Sequence, residues 1–248
     1  MGLIQQKLRA FAIHFGISLV VIGTFLAFVY FILYTPEILH LEGGDQITLI
    51  IFGVDLTLGP IMTLILYRKG KRGMLFDLVM IGIIQLSAFL YGGWVLYAER
   101  PVFLAFVKEH FEIVPLASIN IEELKDSTLQ PGLLSGPRRV YVERPGGEAS
   151  QQILWQALSG GKDLHLLPEY YRPFENHLEK VRERHVTLEK LRKERPAAAP
   201  VIEAALKELG RAEESVMVLP IMGHAAEGAV ILDRAGGETL KYVEAVIW

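Results

Sequence analysis

Residues 52–66 read FGVDLTLGPIMTLIL, and the reading of this stretch decides the rest. It lies inside an apolar run long enough to cross a bilayer, and it carries a carboxylate, Asp55. Gly53, Gly59 and Pro60 stand close to the acid. An ionisable side chain at membrane depth is costly to hold there, so it marks a candidate functional site. The competing reading is structural: a lone intramembrane Asp can bond a polar neighbour and fix helix packing.

Working outward, residues 47–67 end at a basic turn made of Arg68, Lys69, Lys71 and Arg72. Residues 76–97 are apolar again, with Asp77 near their start and Gln85 in their middle. Residues 11–34 hold no acid or base except His14, which reads as an interfacial residue. At ~1.5 Å per residue each run covers a hydrocarbon core of ~30 Å. The first is too long for the apolar part of a cleaved signal peptide, and no A-x-A-like site follows it. Residues 35–46 read as a short acidic loop. Lys7, Arg9 and the basic turn fall on one side, which the positive-inside rule makes cytoplasmic. The expectation is a membrane domain, residues 1–97, with transmembrane helices at about 11–34, 47–67 and 76–97. Residues 98–248 are then extracytoplasmic. The basic turn has a second reading, as a contact for lipid phosphate or a nucleotide, but it lacks the G-x-x-x-x-G-K-[ST] pattern.

Past Arg100 and Pro101 the hydrophobic period changes. Residues 102–107 and 111–114 read as strands around the polar turn 108–110, and residues 139–143 (RVYVE) alternate like a half-buried strand. Residues 120–125 form a possible helical turn and 131–137 a loop. Residues 148–159 have helical spacing and stop at Gly160 and Gly161. Residues 174–194 read as one amphipathic helix ended by Pro196, and 197–209 as a shorter helix stopped by Gly210. Strands at 216–222, 228–233 and 239–247 follow, joined by hairpin-like connections. Strands at both ends with helices between predict an α+β domain with an antiparallel sheet that folds as an independent unit. The expected fold class is therefore an α-helical membrane region of three transmembrane helices followed by that domain.

Composition narrows the chemistry. The chain of 248 residues has a net charge of −3, so no global basic field points to nucleic acid. It has no cysteine, hence no thiol nucleophile and no cysteine zinc site. The seven histidines are scattered, no H-E-x-x-H occurs, and no G-x-S-x-G elbow is present. No cofactor, metal or catalytic residue is expected. Asp55 and Asp77 raise an intramembrane aspartyl dyad, which needs two carboxyls sharing a proton. A plain hairpin leaves them about 12 Å apart along the membrane normal. The same count, folding about residue 70, puts Asp55 level with Gln85. A carboxyl–carboxamide bond between facing helices would satisfy a buried polar pair that lipid cannot. Asp77 falls level with Thr63. The candidate site for partner binding is thus Asp55, Gly59, Pro60, Asp77 and Gln85.

FGVDLTLGPIMTLILYRKGKRG (52–73), then FDLVMIGIIQLSAFLYG (76–92), RPVFLAF (100–106) and HFEIV (110–114), resembles the type IV pilin accessory protein family (TfpX/TfpZ, FimB-like). LSGGKDLHLLPEYYRPFE (158–175) and VMVLPIMGHAAEGAVILDRAGGE (216–238) are also similar to that family's later segments. The resemblance implies a multi-pass protein of the Gram-negative inner membrane, with no enzymatic activity, that aids pilin stability or pilus assembly. Its implied partners are the cognate major pilin, inner-membrane lipids and other pilus assembly proteins. The residues alone leave two other classes open: a membrane enzyme using Asp55, and a transport or signalling subunit with an outer sensor domain.

Overall fold

The first apolar run forms α1 (Leu3–Phe28), which passes into a wider π-type turn at Val29–Leu33. The second is built in three joined pieces: α3 (Gly44–Phe52), a π-type segment at Gly53–Leu58, and α4 (Gly59–Leu66). The third is α5 (Met74–Ala98). In the computed structural model, which describes residues 2–248, these are three helices long and apolar enough to cross a membrane: Leu3–Leu33, Gly44–Leu66 and Met74–Ala98. Their outward faces carry large exposed apolar side chains such as Ile4, Phe31, Leu49 and Leu75, as a lipid-facing bundle requires. α1 packs on α4, and α5 packs on α3 and α4. Small residues allow the close approaches: Gly92 of α5 lies where a Cβ would meet Ile51 at 2.7 Å. Phe25 and Phe89 meet edge to face at 5.0 Å.

The chain divides into two compact units, Met1–Leu33 with Gly44–Ala98, and Tyr34–Gly43 with Glu99–Trp248. Residues 35–46, expected as a loop, contain a helix, α2 (Pro36–Leu41). Thr35 caps it by accepting from the Ile38 N–H at 3.4 Å, and Pro36 occupies its first turn. Most of the segment expected as a loop, through Gly43, therefore belongs to the second unit, and Gly44 already begins α3.

That unit is an α+β fold on a seven-stranded sheet in the order β4-β3-β1-β2-β5-β6-β7. The strands are β1 (Pro101–Val107), β2 (His110–Pro115), β3 (Arg138–Val142), β4 (Tyr171–Pro173), β5 (Val216–Met222), β6 (Glu227–Asp233) and β7 (Thr239–Val243). Lys108, at φ 56°, supplies the left-handed residue of the tight β1–β2 turn. The sheet is mostly antiparallel, but β1–β3 and β2–β5 pair in parallel. β7 stops at Val243, short of the expected 247. β4 is a three-residue strand with no period to read, and it pairs antiparallel with β3.

The predicted helix 174–194 is broken. A 3-10 turn (Phe174–His177) leads into α7 (Leu178–Arg182), and a separate α8 (Leu188–Glu194) follows. Between them the Val186 N–H donates to the Val218 carbonyl at 2.8 Å, so buried Val186 leaves the helix to bond β5. Thr187 then restarts the helix, its hydroxyl accepting from the Lys190 N–H at 3.2 Å. α8 and α9 (Ala199–Leu209, closed by Gly210 at φ 63°) bury Leu188, Leu191, Ile202 and Leu206 against Val216, Val218 and Ile231. A second cluster joins Phe103, Val140 and Val142 to Leu129, Leu164 and Tyr171. The helix expected at 148–159 is α6 (Gly147–Leu158). Only Ile153 of its apolar face packs on this cluster, while Leu154, Trp155 and Leu158 stay exposed.

Candidate functional site

The π-type segment explains the geometry around Asp55. Its wide turn makes the Gly59 N–H donate to the Val54 carbonyl, five residues back. By that spacing the Asp55 carbonyl would need a donor at residue 60, and Pro60 has no N–H. The orphaned carbonyl is satisfied from the next helix: Gln85 Nε2 donates to it at 3.1 Å. The carboxamide can reach it because residue 59 is glycine, since a Cβ there would overlap the Gln85 side chain. Gly59, Pro60, Asp55 and Gln85 are thus one device, and each residue type is required by the others.

Asp55 and Gln85 do lie together, as the hairpin count predicts, but the bond differs from the expected one. It runs from the carboxamide to the main chain of Asp55. The Asp55 side chain is 5 % exposed, and neither of its oxygens has a partner at hydrogen-bond geometry. It faces a groove of about 230 Å³ lined by α1 and α5, with Ile17, Ser18, Gln85, Leu86 and Phe89 in its walls. A buried carboxyl group without a partner costs more than one with a bond, so a donor entering this groove would be favoured beside Asp55.

Asp77 is placed elsewhere. In the first turn of α5 it pairs with Lys71 of the basic turn at 2.6 Å, a favourable position for an acid at a helix N-terminus. Gln85 lies eight residues farther along the same helix, so Asp77 takes no part in the Asp55 groove. Thr63, expected level with Asp77, instead meets His14: His14 Nδ1 and Thr63 Oγ1 are 2.6 Å apart, tying α1 to α4. Sequence reasoning assigned His14 no such role. Applying the hairpin count to residues 35–46 would have brought His14 within about one turn, ~5.4 Å, of Thr63. Lys7 Nζ donates to the Ile65 carbonyl at 2.7 Å and closes the end of α4. Among the described residues no three His, Asp or Glu side chains converge as metal ligands.

Gln85→Leu is expected to leave the Asp55 carbonyl bare and to destabilise the bundle by ~1–2 kcal/mol. Gly59→Val, which must push α5 away, should cost more. Reversible unfolding in mixed micelles measures both, and wild-type stability in Gln85→Leu would refute the main-chain bond.

No protein-family model and no solved structure matches the chain. Three curated proteins of Dichelobacter nodosus do. The fimbrial assembly protein of serogroup I is 33 % identical over 114 residues, and the match spans 45 % of this chain and 44 % of that protein. The fimbrial assembly protein of serogroups C1 and C2 is 33 % identical over 114 residues, 87 % of its own length. That of serogroup E1 is 27 % identical over 236 residues, 90 % of this chain and 89 % of the relative. A third of positions identical across most of one relative, and an alignment along nearly the whole of another, place this chain in the fimbrial assembly protein family, in line with its type IV pilin accessory motifs.

Proposed function

We propose that the protein is a non-enzymatic accessory, or chaperone, of type IV fimbrial assembly in the bacterial inner membrane. In this reading the N-terminus is cytoplasmic, the second unit is periplasmic, and the apolar helix of the cognate major pilin docks against the Asp55 groove. Kinship with fimbrial assembly proteins supports the process. The single observation that carries the site is the buried Asp55 carboxyl, without a hydrogen bond of full geometry, at the wall of an open groove in the membrane unit. A mostly apolar incoming helix gains dispersion contacts along α1 and α5, and one donor on it would satisfy the carboxyl. The basic residues Lys7, Arg9 and Arg68 to Arg72 support the orientation.

A photo-crosslinking residue at Leu86, beside Asp55, should capture the pilin in growing cells. The same residue at Leu75, exposed at the start of α5, should not. Capture from Leu86 of an unrelated protein that is then found cleaved would overturn the accessory reading in favour of a membrane enzyme.

A further inference from the structure

A second groove in the membrane unit has a different chemistry. It measures about 820 Å³, within the ~300–1,000 Å³ usual for small-molecule sites, and it opens at the basic end of the bundle. Arg9, Tyr67 and Lys69 line its mouth, and Ile13, Ile17 and Gly82 its deeper wall. The cations around it are not equivalent. Lys7 is spent on the end of α4, and Lys71 holds Asp77. Arg9 and Lys69 have no acidic partner among the described residues, and no Asp or Glu lines the groove. From Arg9 to Ile17 the groove follows α1 for ~12 Å, two turns and more of apolar wall behind a cationic entrance.

We propose that this groove binds an anionic glycerophospholipid, its phosphate held by Arg9 and Lys69 and an acyl chain laid along Ile13, Ile17 and Gly82. The occupant is argued from charge and shape together: two unpaired cations at the mouth ask for an anion, and the apolar wall behind them asks for a chain. A basic pocket between transmembrane helices at the charged end of a bundle is where such head groups are recognised. This groove meets the Asp55 groove at His14, Ile17 and Gly82, but lipid retention by the purified protein and pilin capture in cells are separate readouts, so either proposal can fail without the other.

The test uses the full chain, purified in detergent, exposed to equal amounts of phosphatidylglycerol and phosphatidylcholine, and weighed by native mass spectrometry. The wild type should retain one phosphatidylglycerol in preference to phosphatidylcholine by ~10-fold or more. Arg9→Gln with Lys69→Gln should abolish the preference, while Arg68→Gln with Arg72→Gln, which removes equal charge outside the groove, should keep it. Gly82→Leu leaves the charge intact. A Cβ at residue 82 meets nothing within 4 Å, so the leucine has room to fill the groove, and retention should fall about as far. That variant decides the matter should the first double variant not purify. Equal loss in both double variants would mean general surface charge and overturn the site. So would full retention in Gly82→Leu, or displacement of the bound lipid by millimolar glycerol phosphate, which would point to a free phosphate ligand.

Discussion

Asp55→Leu is expected to reduce fimbriation strongly while leaving the membrane bundle at least as stable as the wild type. The two effects separate because the carboxyl oxygens, although near the Gln85 carboxamide, make no hydrogen bond of full geometry, whereas the bond that holds the helices uses the main chain of residue 55 and survives the substitution. Replacing an unpartnered buried polar group by an apolar one of similar shape is neutral or stabilising. Pilin docking, by contrast, loses its one polar contact in hydrocarbon, worth ~1–2 kcal/mol, or about a tenfold fall in bound pilin. Asp55→Asn keeps size and hydrogen-bonding capacity and should assemble fimbriae nearly as well as the wild type. Piliation and pilin level, measured at equal abundance of the three proteins, check this. Equal loss in Asn and Leu would show that the group must ionise, and would revive a catalytic or proton-moving role.

The pairing of Asp55 with Gln85 was legible because helical rise is fixed: counting from the basic turn sets the two residues level on neighbouring helices. The acceptor was not legible. It depends on a π-type turn, one extra residue in the ladder, which no apolar period records, and on Pro60 falling five residues after Asp55. The tendency to pair two polar side chains overlooked a free carbonyl, although Pro60 announced one. Asp77 failed for the opposite reason. Lys71, six residues away, reads in the sequence as a topology signal, and only the ion pair at 2.6 Å shows it to be the partner of Asp77.

In the second unit, strongly alternating strands were readable and pairings between distant strands were not. β1–β3 and β2–β5 are parallel because of long connections whose route leaves no local trace. The break near Val186 was hidden because Val181, Leu188 and Leu191 keep roughly helical spacing across it, and only the bond to Val218 shows that the chain turns extended there.

Leu39→Ala should strongly destabilise the second unit, although residues 35–46 read as a short acidic loop. Ile38 and Leu39 are 0 % exposed and Leu41 is 3 % exposed, as deeply buried as the sheet. α2 is fastened at its end by main-chain bonds: the N–H groups of Ala225 and Ala226, in the β5–β6 connection, donate to the Leu41 carbonyl at 2.9 and 3.2 Å. Glu42 completes the clasp, its carboxylate accepting from His224 Nδ1 at 2.8 Å. Burial pushes the Glu42 carboxyl above the usual range, and His224 draws it part of the way back. A raised acid binds protons more tightly in the folded state, so this clasp costs stability as pH rises from about 4.5 through the folded value. Removing Leu39 beyond its Cβ opens a cavity that α2, fastened at its C-terminal end, cannot easily close, at a cost of ~2–5 kcal/mol. Leu154→Ala, at an exposed position of α6, should change stability by no more than ~0.5 kcal/mol. Hydrogen exchange of β5 and β6 in the full chain reads the difference, with protection falling sharply in the first variant and holding in the second. A fragment beginning at Arg100 lacks α2 and should show the same loss, restored when residues 34–43 are added back as a peptide. Matching protection in Leu39→Ala and Leu154→Ala would mean that α2 rests on the sheet without stabilising it.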